Sequence, residues 1–394
     1  MEDRCSNKRH APVSKINAHQ QRNKPEVMNK YLTDLTVTVR SSNLNPLEEP
    51  VPRVRVAKQT PMHPSWLGPK PLGLATALII MTTLAAGAQP GPQATLLVSG
   101  LEGGSAGSTV GPDGALYVTE GNAGKIYRVD PETGHTTTFA SGLPPGIVGI
   151  GGPVDVAFVD ETAYALTSLI GPDFGTSDVL GIYRVDGPNT FTVIADLGAW
   201  SIAHPPPPIF EIDLKAGNPY ALQAYRGGFL VTDGHHNRVL RVTLDGEITE
   251  LIQFGDIVPT GLAVRGGTIY VAEAGPVPHR PQDGKIVSFS PKSSTVTEVA
   301  SGAPILVDVE FGPHHTLYAL SNGVYSGNPE GSPGLPNTGS LVRANGDGTF
   351  TIVLGGVNVP TSMEIIGHTV YVFNLAGEVW KIDLKGDAGG NGDD

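Results

Sequence analysis

Between residues 111 and 384 the chain writes the same unit six times: a tight Gly- or Asp-marked turn, a strand that ends in a polar residue, and a further strand. The clearest copy runs Gly111-Pro112-Asp113-Gly114, then Leu116 to Glu120, then Gly124 to Val129, then Thr136 to Ala140. The other copies announce themselves by their second strand, at Tyr164, Leu230, Tyr270, Tyr318 and Tyr371. Apolar residues alternating with polar or small ones between Gly, Pro, Asn and Asp clusters are the signature of half-buried strands. A repeat of roughly 40–50 residues built from four short strands is a propeller blade, because such a unit buries its faces only against neighbouring copies. The chain is therefore expected to be all-β, a six-bladed β-propeller over residues 89–385.

The last copy ends after its third strand, near Leu384, while Ala94 to Leu101 resembles Thr137 to Leu143, which closes the first copy. The expectation is that the N-terminal strand completes the last blade, which would hide two sheet edges otherwise open to aggregation. Residues 386–394 are rich in Gly and Asp and read as a disordered tail.

A different kind of sequence precedes the ring. Lys70-Pro71, the apolar run from Leu72 to Leu84 and then Ala86-Gly87-Ala88 have the layout of a secretory signal over residues 62–88. The run is too short and too interrupted for a stable membrane span. Met62 stands directly before it, so residues 1–61, polar and Pro-rich, read as a disordered or over-called extension. The expected location is secreted or periplasmic. Cys5 is the only cysteine and lies ahead of the signal, so the ring is expected to hold together without disulfides.

The chain carries 38 Asp and Glu against 26 Lys and Arg, and the basic residues are concentrated ahead of residue 89. A ring this acidic lacks the basic footprint of a nucleic-acid binder. Its loops are uneven. One rim reads as tight turns throughout, whereas the insertions 141–152, 169–179, 198–218, 274–284 and 322–339 all fall on the other. Long loops displayed by a compact scaffold are usually functional.

The ends of the second strands are expected to point into that looped mouth, which makes Glu120, Ser168, Asp233, Glu273, Ser321 and Asn374 candidates. Asp155, Thr260, Asp308 and Thr361 stand near the starts of the innermost strands. Of these, Glu120, Asp155, Asp233, Glu273 and Asp308 are candidate oxygen ligands for calcium, a hard cation. The competing reading is that an acidic residue before a Gly or Asn turn caps its own backbone. His235 and His236 beside Asp233 could supply a general base with a carboxylate to orient it, although adjacent strand residues point apart.

Leu230 to Val239 resembles an NHL-type propeller repeat, and Val258 to Val264 resembles the strand that follows one. Together with Gly111 to Val129 and the export signal, residues 95–385 resemble the ScyD/ScyE family of secreted propeller proteins. The resemblance implies an exported six-bladed ring and carries no catalytic residues across. Related propellers include calcium-dependent lactonases, but only Asn374 stands where their paired Asn ligands would be. Two functions stay open: an exported propeller binding a small molecule, glycan or protein partner on its looped rim, and a metal-dependent lactonase or esterase-like hydrolase using carboxylates at the channel mouth.

Overall fold

A computed structural model describes residues 92–387 apart from 105–106, 208–213, 294, 326 and 328–331. The signal segment 62–88, the extension 1–61 and residues 388–394 lie outside the described residues. Six four-stranded antiparallel sheets follow one another around a ring. Their innermost strands are Ser108–Val110, Gly152–Val159, Pro219–Ala224, Pro259–Arg265, Leu306–Phe311 and Pro360–Ile366, which define blades one to six. Each innermost strand packs on the next, and the sixth packs on the first. The outer strand of the sixth sheet is Ala94–Val98, antiparallel to Val379–Asp383 with Ala94 opposite Ile382. Asp387, read from the sequence as tail, is instead held by the Tyr318 hydroxyl at 3.0 Å and by Arg343. Among the described residues no helix is long and apolar enough to cross a membrane.

Strand alternation divides the core into six parts, one at each junction between blades. In Leu116–Glu120, Leu116 and Val118 pack with Tyr371 and Phe373 of the sixth blade, whereas Tyr117 packs with Val156 and Tyr183 of the second. The same alternation sends Phe229 and Val231 back toward the second blade and Leu230 forward to the fourth. Every blade is thus apolar on both faces, which explains strands that are buried along their whole length.

The ring also repeats at a coarser level, three blades against three. Tyr117, Glu120, Asp155 and Phe158 recur after the same interval as Tyr270, Glu273, Asp308 and Phe311. The correspondence is physical as well as positional. Tyr117 meets Phe158 edge-on at 4.7 Å, and Tyr270 meets Phe311 edge-on at 5.0 Å. Asp155 accepts the Val156 amide at 2.8 Å and reaches into the third blade for the Leu222 amide at 2.7 Å. Asp308 does the same with Val309 at 2.9 Å and Met363 of the sixth blade at 2.7 Å. Each aspartate also lies against a glycine of the preceding blade. A Cβ on Gly107 would stand 2.6 Å from Asp155 Oδ1, and one on Gly261 would collide with Asp308.

Asp308→Ala leaves the Met363 and Val309 amides without their acceptor inside the ring. Each lost partner of a buried donor costs about 1–3 kcal/mol, so a loss of about 2–4 kcal/mol is expected in urea denaturation, with Gly261→Ala destabilising as well. A change below about 0.5 kcal/mol for Asp308→Ala would show that the link between blades is dispensable.

Candidate functional site

The innermost strands enclose a central channel of about 540 Å³. Ile150, Leu169, Ala274, His279, Asn322 and Pro333, all from the long insertions, surround one mouth of it. Val258 and Ile305 complete a largely apolar collar there. Both are β-branched and both adopt left-handed backbone, with φ of 50° and 38°. Non-glycine residues of this shape rarely sit there, and the conformation costs on the order of 1–3 kcal/mol. A recurring hydrogen bond holds it: Ala274 donates to the Val258 carbonyl at 3.0 Å, and Asn322 donates to the Ile305 carbonyl at 2.9 Å.

Of the residues singled out from sequence, Asp155, Thr260, Asp308 and Thr361 line the channel. Glu120, Asp233, Glu273 and Asn374 do not, and all four are about 1 % exposed or less. They share the parity of Val118, Val231, Val271 and Val372, which pack against the preceding blade. The channel instead receives the next residue along, Gly234, Ala274 and Leu375 in the third, fourth and sixth blades. A strand that alternates with period two cannot present both residues to one surface. The candidate ligands therefore fall into separate places, and among the described residues no three His, Cys, Asp or Glu side chains are grouped to hold a metal. Thr260 donates to the Ala272 and Leu306 carbonyls, so its hydroxyl ties the fourth blade to the fifth.

Asp233, His235 and His236 form the anchor of the longest insertion. Asp233 Oδ1 accepts the Asn218 amide at 2.9 Å, and Oδ2 lies 3.3 Å from Arg238 Nε. Arg238 is fully buried and also donates to Ser201 Oγ and the His204 carbonyl, both at 2.9 Å, while lying over the Trp200 ring. Those partners belong to the short helix Leu197–Ala203 and its C-terminal cap. Arg238 Nη2 and Asp233 Oδ2 both lie against His236 Nδ1, at 2.9 Å and 3.1 Å. On the other side of the ring, His236 Nε2 donates to the Leu214 carbonyl at 3.0 Å. His235 Nε2 receives the Leu214 amide at 3.3 Å, so the two rings grip one backbone unit from both sides. Burial alone would raise the Asp233 carboxyl, but His236 and Arg238 overcome it and hold the group at about 2.

Glu120 and Glu273, equivalent positions in the two halves, are buried without that support. Neither oxygen of Glu120 has a hydrogen-bond partner, nor does Oε2 of Glu273. Burial pushes both carboxyls up to about 8; the Gly103 backbone and, to a lesser degree, Lys125 pull weakly the other way at Glu120, as Lys285 does at Glu273.

Deeper in the channel stand two carboxylates that the sequence reading missed, Glu310 and Glu364, near the tight-turn end of the fifth and sixth innermost strands. Burial raises both well above the ordinary carboxylate range, and mutual like charge with Asp308 and Asp155 adds to it. Asp308 is pushed up to about 7 by burial, against the Met363 and Val309 amides and Ser362. A usable signal existed: charged residues inside strands whose surroundings otherwise read as buried.

Two outcomes test these assignments. Arg238→Met strands the Asp233 charge and is expected to cost about 3–5 kcal/mol, part of which Asp233→Asn in the same chain restores. A loss under about 1 kcal/mol would contradict the anchor. For Glu273 the folded state keeps a proton that the unfolded chain releases above about 4.5, so stability declines as pH rises from about 4.5 to 8 and is flat beyond. Glu273→Gln removes this decline, which amounts to at most about 1.4 kcal/mol per pH unit. Melting temperatures of both proteins at pH 5 and pH 9 measure it, and equal differences at the two pH values would refute it.

No family model matches the chain, and no curated protein is similar to it in sequence. Solved structures are similar in fold. A gluconolactonase from Xanthomonas campestris aligns with a TM-score of 0.52 at 12% identity, over 74% of this chain and 89% of that one. The PQQ-bound aldose sugar dehydrogenase from Streptomyces coelicolor aligns with a TM-score of 0.50 at 13% identity, over 75% of this chain and 98% of that one. Virginiamycin B lyase from Staphylococcus aureus gives a TM-score of 0.47 at 15% identity, over 74% and 99%. At these identities the likeness is one of fold, and it places this chain among six-bladed β-propellers with enzymes as structural neighbours.

Proposed function

We propose that this chain is an exported propeller of the ScyD/ScyE type that takes a small molecule into the looped mouth of its central channel. One observation carries the reading: a central channel of about 540 Å³ with residues from the long insertions around its mouth. A concave site with an apolar wall and a few convergent polar groups is how proteins bind small ligands. The left-handed backbone at Val258 and Ile305 supports it, because strain of this kind persists where a surrounding structure holds side chains in a set position. A glycan or protein partner would use the outside of the rim and leave the channel idle. Export follows from the signal layout of residues 62–88 and remains part of the same proposal.

A metal-dependent hydrolase has less support. Asp155 and Asp308 spend both oxygens on backbone amides, and Glu120, Asp233 and Glu273 lie between blades instead of in the channel.

The test is a thermal-shift screen of small metabolites on the wild type and on Ile150→Trp, which places a large ring at the mouth. Compounds that bind in the channel raise the wild-type midpoint, and the rise is cut at least tenfold in apparent affinity by the variant. Hits that ignore Ile150→Trp would overturn the channel reading. A rise in midpoint with calcium that requires Asp308 would favour the hydrolase, since a ligand of the folded state alone must stabilise it.

A further inference from the structure

The channel wall is chemically one-sided. Asp155, Asp308, Glu310 and Glu364 line it, and no Lys or Arg does among the described residues. The two aspartates are committed to the amides of neighbouring blades. Glu310 and Glu364 make no such link to a neighbouring blade's amide: they stand in adjacent blades, the Phe311 amide of its own strand acts on Glu310 and Ser108 on Glu364, and the charged groups that act on them are other carboxylates. An independent feature of the same cavity points to a missing molecule. Ser332 lies on its wall near the mouth, is 4% exposed, and has no hydrogen-bond partner for its hydroxyl. A buried hydroxyl left unpaired costs free energy that a bound polar group would recover.

Building on the channel-binding reading above, we infer that the ligand is a small organic ammonium ion, its nitrogen held between Glu310 and Glu364 and its apolar body within the collar of Ile150, Leu169, Val258 and Ile305. A cation satisfies what the channel leaves uncompensated, since carboxylates crowded on one wall without a positive partner repel one another. An organic ion suits the wall better than a metal, because the collar is apolar and no three ligating side chains are grouped among the described residues. An anionic ligand would meet four carboxyl groups.

The inference has a proton signature. The titratable groups lining the channel with the glutamates are Asp155 from the second blade, Tyr220 from the third, Asp308 from the fifth and, at the mouth, His279, which burial holds toward its neutral form, while the first and fourth blades contribute Ser108, Thr109 and Thr260. All the carboxyls among these are raised by burial. An ammonium ion entering them favours the ionised forms, so protons leave as it binds and affinity rises from pH 6 to pH 8.

The experiment uses three probes with one tail, n-octylammonium, 1-octanol and octanoate, titrated calorimetrically into the full chain at both pH values and in buffers of different ionisation enthalpy. Octylammonium is expected to bind at least tenfold tighter than octanol, with proton release, and octanoate more weakly than either. Glu310→Gln with Glu364→Gln should bring octylammonium down to the level of octanol while octanol itself is unchanged. The single Glu310→Gln variant and the wild-type proton count serve if the double variant does not fold. Octylammonium binding no tighter than octanol, or binding without proton release, overturns the inference while leaving the channel reading intact. Binding of octanol that Ile150→Trp fails to weaken, or binding of none of the three, overturns both. Displacement of octylammonium by calcium overturns it in favour of an inorganic cation.

Discussion

A carboxylate that accepts an amide from its own strand and another from the next blade is the contact on which this ring depends. Asp155 and Asp308 each make it, at corresponding places in the two halves. The contact needs a glycine on the preceding blade, because Gly107 and Gly261 leave the space that the aspartates fill. Two consecutive innermost strands are thereby tied by one side chain, twice around the ring. Apolar packing joins every blade to the next, six clusters at six junctions. Burial works against the charged form of the aspartates while the amides work for it. This opposition keeps polar groups in a channel that a purely apolar ring would not require.

The same balance separates three kinds of buried carboxyl. Asp233 is low because Arg238 and His236 stand against it, and its work is to pin the insertion that carries Trp200 and His204. Glu120 and Glu273 are high because nothing adequate compensates them. Glu310 and Glu364 are high for burial and for like charge, and they line the cavity without giving their oxygens to the amides of a neighbouring blade as Asp155 and Asp308 do. Charge state in this protein follows the partner, not the residue type. Only the last group has room for a ligand to be that partner.

Much of the architecture was legible before any coordinates. The polar ends of the second strands, the Gly turns and the aromatic starts gave six blades, and loop length gave the rim from which Ile150, Leu169, Ala274, His279, Asn322 and Pro333 reach the channel. The site was legible only in part. Asp155, Thr260, Asp308 and Thr361 do line the channel, but the second-strand ends turn between blades, one residue out of phase with the channel surface. Glu310 and Glu364 stand out in sequence only as charges within strands that otherwise read as buried, which flags them as unusual without telling that they border the channel. The histidine pair and its neighbouring carboxylate look reactive in sequence, yet the fold uses them to hold Leu214 and Asn218.

By itself the sequence determined the repeating unit, the number of blades and the side on which elaboration occurs, because strand alternation and turn chemistry are local properties. Tertiary structure decided which polar side chains meet the channel, which meet another blade and which carboxyls lack a cation. Those outcomes depend on the parity of each strand end relative to an axis that exists only once six sheets have closed around it.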